Sequence, residues 1–501
     1  MSNIDSLKYF LPEIVLVGGV LFIILFDLVT NLRKFIPYIT LWILAVAFFI
    51  SANMLSPSID GILFEGLIRL NGFTVFFKLL FSVATFLTVL FSIARQKEHQ
   101  SIEYYSLLLI STLGLFLLSS ANDLLMIYIG LETVSISSYL LVASQKGVLK
   151  SSEAGLKYVI FGAIASGIML YGMSLLYGIY GTTSFDLLFD KISAMPQENC
   201  YHLILSASLF MIFIGLGYKI AAVPVHMWCP DVYEGAPTEI TAFLSVAPKA
   251  AGFAIIIRFL YNVLQPTFSP ITPDPAILLF VSHWQIILVI ISVLTMTIGN
   301  LAALHQTNLK RLLAYSSIAH AGYILMGLVI LSNDGIQAMV FYLPVYLFMN
   351  MGAFFVVYII ERATGKVDIT EYEGLGWRLP FIGVIMSIFL FSLVGLPPLG
   401  GFIAKFYLFA AVIDAKWYIL AIIGLFNGVI SLYYYARIVR AMFLTVRFME
   451  PIATELRTVR PASGGLSLFD TILLIVFVIP VLGLGVYWTP LIQLINKALN
   501  I

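Results

Sequence analysis

Lys219-Ile-Ala-Ala-Val-Pro224-Val-His226-Met-Trp-Cys-Pro230 sets a lysine and a proline inside an otherwise apolar run, 202–229, with a second proline just past its end. Proline removes a backbone donor and clashes with the preceding turn, so a helix here must break. A charge at mid-bilayer costs about 2.5–3.5 kcal/mol on insertion scales. Unwound backbone at membrane depth is tolerated only when buried in protein or facing a water-filled cavity. A second stretch, Gly395-Leu-Pro397-Pro398-Leu-Gly-Gly401-Phe-Ile-Ala404-Lys405, repeats the combination. One kinked helix would mean little; two, each beside a deep lysine, point to a built feature.

The rest of the chain agrees with a membrane setting. Of 501 residues, 61% are hydrophobic and 11% charged, and mean hydropathy is +1.01, whereas soluble domains carry about 25% charged residues. A bilayer core about 30 Å thick needs about 20 apolar residues per helix. Apolar runs at 11–30, 36–55, 72–93, 104–120, 123–144, 155–180, 202–229, 237–262, 283–304, 311–332, 335–361, 380–412, 416–445 and 469–490 give about 14 transmembrane helices. The fold class expected is an all-α polytopic membrane protein, one transmembrane domain over 1–501. Lys8 is balanced by Asp5 ahead of the first run, so a basic leader is not expected.

Basic residues divide sharply between the two sides. Arg33, Lys34, Arg95, Lys97, Lys146, Lys150, Lys310, Arg311, Arg362, Lys366, Arg378, Arg437, Arg440, Arg447, Arg457 and Arg460 fall on one side; Lys8, Arg69, Lys191, Lys416 and Lys497 fall on the other. The positive-inside rule makes the first side cytoplasmic and turns both termini outward. Lys78, Lys157 and Arg258 lie near helix ends and are expected to snorkel. Lys219, Lys249 and Lys405 lie too deep for that, and Glu132 sits near the middle of its span.

The two broken helices lie five spans apart. Residues 1–100 hold three helices, 104–262 a first five-helix unit and 283–445 a second, with the broken helix fourth in each; 446–501 holds a cytoplasmic loop and the last helix. Five is odd, so the second unit would be inverted, and inverted repeats with discontinuous helices mark transporters whose sites lie where the repeats meet.

Glu132, in Tyr128-Ile-Gly-Leu-Glu-Thr-Val-Ser-Ile-Ser-Ser-Tyr139, needs a cation or a proton, and Lys219 and Lys249 match its depth. Burial disfavours the charged form of both groups while mutual attraction favours it. Such a balance responds to small rearrangements, as proton transfer requires; a static pair orienting helices is the other reading. His320 lies mid-span in Ser316-Ser-Ile-Ala-His-Ala-Gly-Tyr323, with His305 and His226 nearer the cytoplasmic ends of their helices. Imidazole relays protons near neutral pH, although a helix–helix hydrogen bond is the common use of a lone membrane histidine. No histidine pair has metal-ligand spacing, and no metal is expected. Two cysteines, Cys200 and Cys229, are too few for an iron–sulfur cluster's usual four thiolates. No P-loop or dinucleotide glycine motif occurs, and a net charge of +1 leaves no footprint for nucleic acid.

Three segments resemble a known family. Pro224-Val-His-Met-Trp-Cys-Pro-Asp-Val-Tyr-Glu-Gly-Ala-Pro-Thr238 with Phe243-Leu-Ser-Val-Ala-Pro-Lys249, then Thr307 to Tyr323, then Leu396 to Phe406, are similar to the antiporter-like membrane subunits of proton-pumping NADH–quinone oxidoreductase, respiratory complex I. The Asp231-Val-Tyr-Glu-Gly-Ala-Pro237 run resembles subunit N more than its paralogues L and M. The resemblance implies an antiporter-like fold, a Glu132–Lys219 ion pair, Lys249 as central proton carrier, Lys405 as outlet lysine, and His305 or His320 as the connecting relay. It also implies a non-redox subunit of a translocase in a bacterial inner membrane. NADH, FMN, iron–sulfur clusters and quinone would then belong to partner subunits, beside L, M and the small subunits A, J and K. Val225, where the family usually has Phe, and Ala404, where Gly is common, remove no titratable group. A multisubunit cation/proton antiporter subunit and a scaffold with static charges are the alternatives.

Overall fold

The computed structural model describes residues 3–30, 32–55, 60–94, 101–193, 199–264, 275–444 and 466–499. Among them, 13 helices are long and apolar enough to cross a membrane. The remaining crossing is divided between Pro380–Val394 and Gly400–Asp414. Numbered along the chain, the spans are Leu11–Thr30, Ile36–Asn53, Gly72–Ala94, Ile102–Ser120, Leu124–Val142 and Leu149–Tyr180 for the first six. The seventh is Asn199–Ile220 continued by Trp228–Gly235; the eighth to eleventh are Thr238–Leu264, Pro275–Leu304, Leu309–Val329 and Asn333–Thr364. The divided crossing is the twelfth, followed by Tyr418–Phe443 and Leu468–Val486.

Polar residues at the interfaces set where these helices start. Asp123 accepts from the Leu125 amide at 2.8 Å, Asn308 accepts from the Lys310 and Arg311 amides, and Ser467 with Asp470 forms a reciprocal capping box. The described residues form one two-stranded sheet. Asp60–Leu63 and Ile68–Asn71 pair as an antiparallel hairpin beside the third span, so the two membrane sides are called here the hairpin face and the basic face. A short amphipathic helix, Thr489–Leu499, follows the last span and seats Ile495 and Ala498 in the core.

Lipid exposure sorts the spans. The apolar window of the eighth is wholly buried, and those of the tenth and eleventh are 94% buried, against 28% for the first. The helices carrying Lys249 and His320 are therefore the ones shielded from lipid. Neighbour relations repeat as well. The fourth span packs on the fifth, the sixth on the seventh, and the eighth on the seventh and fourth; the ninth packs on the tenth, the eleventh on the twelfth, and the thirteenth on the twelfth and ninth. The same packing scheme, displaced by an odd number of crossings, is the inverted repeat.

Both breaks satisfy their freed backbone inside the protein. In the seventh span Ala221 turns to φ 58°. The Val223 amide then donates to Thr295 Oγ1 of the ninth span at 3.0 Å, and Trp228 Nε1 donates to the Tyr218 carbonyl at 3.1 Å. In the twelfth span Gly395 takes φ 94°, and the Gly401 amide donates to Ser392 Oγ at 3.1 Å. A Cβ on Gly401 would lie 1.8 Å from the Ser392 carbonyl oxygen. Gly401→Ala must therefore push the half-helices apart, at a cost of about 1–3 kcal/mol or more. The expected outcome is reduced membrane content of the variant by immunoblot, and wild-type content would show that the break tolerates widening.

Candidate functional site

The tenth span organises the buried charges. Ser317, His320 and Tyr323 recur at three-residue spacing and share one helix face. Lys249 Nζ, from the eighth span, donates to Ser317 Oγ at 2.7 Å and lies 5.8 Å from the Tyr233 ring centroid. One turn on, His320 Nδ1 and the Tyr342 hydroxyl of the eleventh span are 2.6 Å apart. His320 Nε2 is 3.4 Å from the Tyr435 hydroxyl of the thirteenth span, which also bonds to Ser316 Oγ. Another turn on, the Tyr323 ring lies 4.5 Å beneath Lys405 Nζ. A single helix thus presents a serine to one lysine, an imidazole between two phenols, and an aromatic face to the other lysine.

Lys405 also closes its own broken helix. Nζ donates to the carbonyls of Leu393 at 3.1 Å and Val394 at 2.7 Å, the last carbonyls of Pro380–Val394, where the helix dipole is negative. Neither Lys249 nor Lys405 has a carboxylate within ion-pair distance among the described residues, although they are 3% and 7% exposed. An ammonium buried without a counter-charge loses several kcal/mol of hydration. Their hydrogen-bond acceptors and aromatic faces offset part of that loss.

The expected Glu132–Lys219 pair is not a direct contact. Lys219 Nζ donates to Ser135 Oγ at 3.2 Å. Glu132, one turn earlier on the fifth span, keeps a buried Oε1 without a hydrogen-bond partner. Ser135 stands on the same helical face and takes the ammonium first. A serine hydroxyl accepts from an ammonium and can at the same time donate to a carboxylate, so Ser135 is placed to bridge the two.

His305 does not join the row expected of it: it follows the end of the ninth span, Leu304, and is exposed. His226 lies in the seventh-span break, buried, with Nδ1 unpartnered. Pro224, Pro397 and Pro398 lie in the two breaks between half-helices. His99 lies outside the described residues, as do the side chains of Cys200 and His202. Among the described residues no three His, Cys, Asp or Glu side chains gather as metal ligands.

Two expectations about snorkelling fail. Lys78 is 1% exposed and pairs with the fully buried Glu13 of the first span at 2.6 Å, because a carboxylate from another helix reaches it below the interface. Arg258 is buried at 7% exposure in a cradle under the hairpin. Lys157 does reach the basic face, where it meets Glu153 at 2.8 Å and Asp231 at 2.7 Å. Arg311 joins Asp231 and Glu234 there at 2.7 and 3.0 Å, binding the second half of the seventh span to the tenth.

Tyr342 and Tyr435, the flanks of His320, were not legible as site residues. The only sequence signal is tyrosine in otherwise apolar spans, which more often marks packing.

A polytopic bundle with two inverted five-helix units, two interrupted helices and buried lysines along a shielded helix defines an antiporter-like membrane protein. The chain belongs to the NADH:quinone oxidoreductase/Mrp antiporter transmembrane family, whose model matches residues 121–431. It is 43% identical over 517 residues, covering 100% of this chain and 98% of the relative, to NADH-quinone oxidoreductase subunit N of Anaeromyxobacter sp. (strain Fw109-5). It is 40% identical to NADH-quinone oxidoreductase subunit N 2 of Sorangium cellulosum (strain So ce56), covering 100% of this chain and 98% of that one. Among solved structures, a chain of respiratory complex I from Thermus thermophilus matches with TM-score 0.72 and 29% identity over 94% of this chain and 98% of that one. A chain of the Mrp complex from Dietzia sp. DQ12-45-1b matches with TM-score 0.84 over 99% and 97%, at 19% identity, a likeness of fold.

Proposed function

We propose that this chain is a proton-translocating membrane subunit of an NADH–quinone oxidoreductase, moving protons outward under the drive of electron transfer in partner subunits. The observation that carries the reading is Lys249, buried without a carboxylate partner among the described residues and bonded to Ser317 on the face that also bears His320 and Tyr323. NADH, FMN, iron–sulfur clusters and quinone belong to partner subunits, and this chain supplies no redox centre. The basic face is the cytoplasmic one, in a bacterial inner membrane, and the neighbours are the paralogues L and M with small subunits A, J and K.

The groups act in series. When Glu132 is ionised, its charge is felt across Ser135 and favours the charged form of Lys219; when Glu132 takes up a proton, that support is lost. Each state alters the field at Lys249, which holds or releases a proton towards Ser317 and the adjacent His320. The imidazole passes protons because each ring nitrogen faces a phenol that both donates and accepts. Lys405 receives on the far side, and losing its charge loosens its hold on the Leu393 and Val394 carbonyls, which links proton release to the broken helix.

Purification of the tagged chain from its native membrane tests the assembly: flavoprotein and iron–sulfur subunits should co-purify, and NADH oxidation should acidify inverted vesicles. Co-purification with small antiporter subunits, and sodium–proton exchange without NADH, would support the antiporter alternative instead. Glu132→Ala, at normal subunit content, should lower pumping and quinone reductase turnover together, and Glu132→Asp should be milder because only reach is lost. Full pumping by the alanine variant would remove Glu132 from the series.

A further inference from the structure

Arg258 lies on the same helix as Lys249, nine residues nearer the hairpin face, or about 13 Å along the axis. Its guanidinium is held from three elements. Nη2 donates to Thr74 Oγ1 at 2.6 Å and Asn71 Oδ1 at 3.1 Å, while Nη1 donates to the carbonyls of Arg69 at 3.2 Å and Ser120 at 3.4 Å. The third span, the end of the fourth and the hairpin thus converge on one group. All four acceptors are neutral. The nearby carboxylates are engaged elsewhere: Asp60 pairs with Arg69 at 2.9 Å, and Asp186 lies 3.9 Å from Arg69. Arginine stays protonated in proteins, so a permanent charge without a direct counter-ion closes this end of the first five-helix unit.

A pump that loads Lys249 from one side needs the opposite end of that unit closed to protons. Fixed arginines close membrane pores to protons and cations in this way, by charge rather than by bulk. We infer that Arg258 is an electrostatic seal on the hairpin face of the first repeat, preventing protons from returning to Lys249 from that side. The inference rests on the proton-translocating reading and adds a residue that sets direction rather than one that carries the proton.

The test measures passive leak in liposomes holding the whole assembled complex, without NADH or quinone, from the decay of an imposed pH difference. A unit charge acting over this distance, at an effective dielectric of about 20, changes proton occupancy by about tenfold. Arg258→Gln, which keeps an amide donor and removes charge, should leak about tenfold faster than wild type. Arg258→Lys should stay tight. Asn71→Asp puts a carboxylate on the guanidinium in place, keeps an oxygen to accept from the Thr74 amide, as Asn71 Oδ1 does at 3.0 Å, and leaves the arginine intact; it should leak although its bonds are stronger. Arg258→Gln combined with Lys249→Ala should be tight again, because the leak would run through Lys249.

A purely structural clamp gives the opposite pattern: Arg258→Lys leaks and Asn71→Asp does not. That pattern, or a leak that survives in the double variant, would overturn the seal. Redox-driven pumping by Lys249→Ala in the same vesicles is read separately. Its wild-type value would sink the proton-carrier reading and the seal with it, whereas a tight Asn71→Asp beside a pump-deficient Lys249→Ala would sink the seal alone.

Discussion

Lys249→Arg is expected to assemble normally and to pump no better than Lys249→Ala. Among the described spans, the lysine lies in the one whose apolar window is completely buried, and its ammonium donates to a serine hydroxyl. Arginine preserves the charge and supplies donors for Ser317, so anything that needs only a cation there survives. It cannot release a proton. Groups that give and take protons contribute typically about 10²–10⁴-fold to the steps they serve, so proton passage through this subunit should fall at least about a hundredfold. The check is the initial rate of NADH-driven vesicle acidification, normalised to subunit content. Wild-type acidification by the arginine variant would return Lys249 to a static role.

Lys405 should separate two functions that Lys219 does not combine. Its ammonium serves two carbonyls at the end of a half-helix, and a hydrogen bond to a charged group is worth about 1.5–3 kcal/mol. Lys405→Ala leaves both carbonyls without that donor and should lower the amount of folded subunit. Lys405→Arg restores the donors but not the release, so it should give normal content with severely reduced pumping. Lys219 has one serine acceptor and an acid one turn beyond it, and its electrostatic part is open to arginine; Lys219→Arg should keep much of its activity. Equal pumping by the two arginine variants, at equal content, would contradict this division.

Depth along a helix is legible in a sequence, whereas the neighbour that meets a side chain is not. That contrast explains which readings held. The runs at 202–229 and 380–412 carry their own prolines and glycines, so both breaks were visible without a partner helix. Lys249 and Lys405 stood out by distance from the helix ends alone. Arg258 and Lys78 have a depth that would allow snorkelling, but their partners come from other segments: the hairpin and third span for one, Glu13 for the other. The hairpin itself, Asp60–Leu63 with Ile68–Asn71, is too short for an alternating pattern to separate it from an ordinary loop. Glu132 and Lys219 were matched by depth, and the serine between them depends on rotation about the helix axis, which depth does not report. His320 was read as mid-span and His305 as near the end of its helix, and packing then puts the first against Tyr342 and leaves the second exposed.

Protons are proposed to pass along the tenth span between the two lysines. The most direct measurement is the number of protons moved per NADH oxidised by His320→Phe in reconstituted complex, at matched NADH oxidation rates. Phenylalanine fills the space between Tyr342 and Tyr435 but has no ring nitrogen to carry a proton. His320→Phe should move fewer protons per NADH than wild type, with normal subunit content. An unchanged ratio would contradict it, because protons would then be crossing without the histidine that joins Lys249 to Lys405.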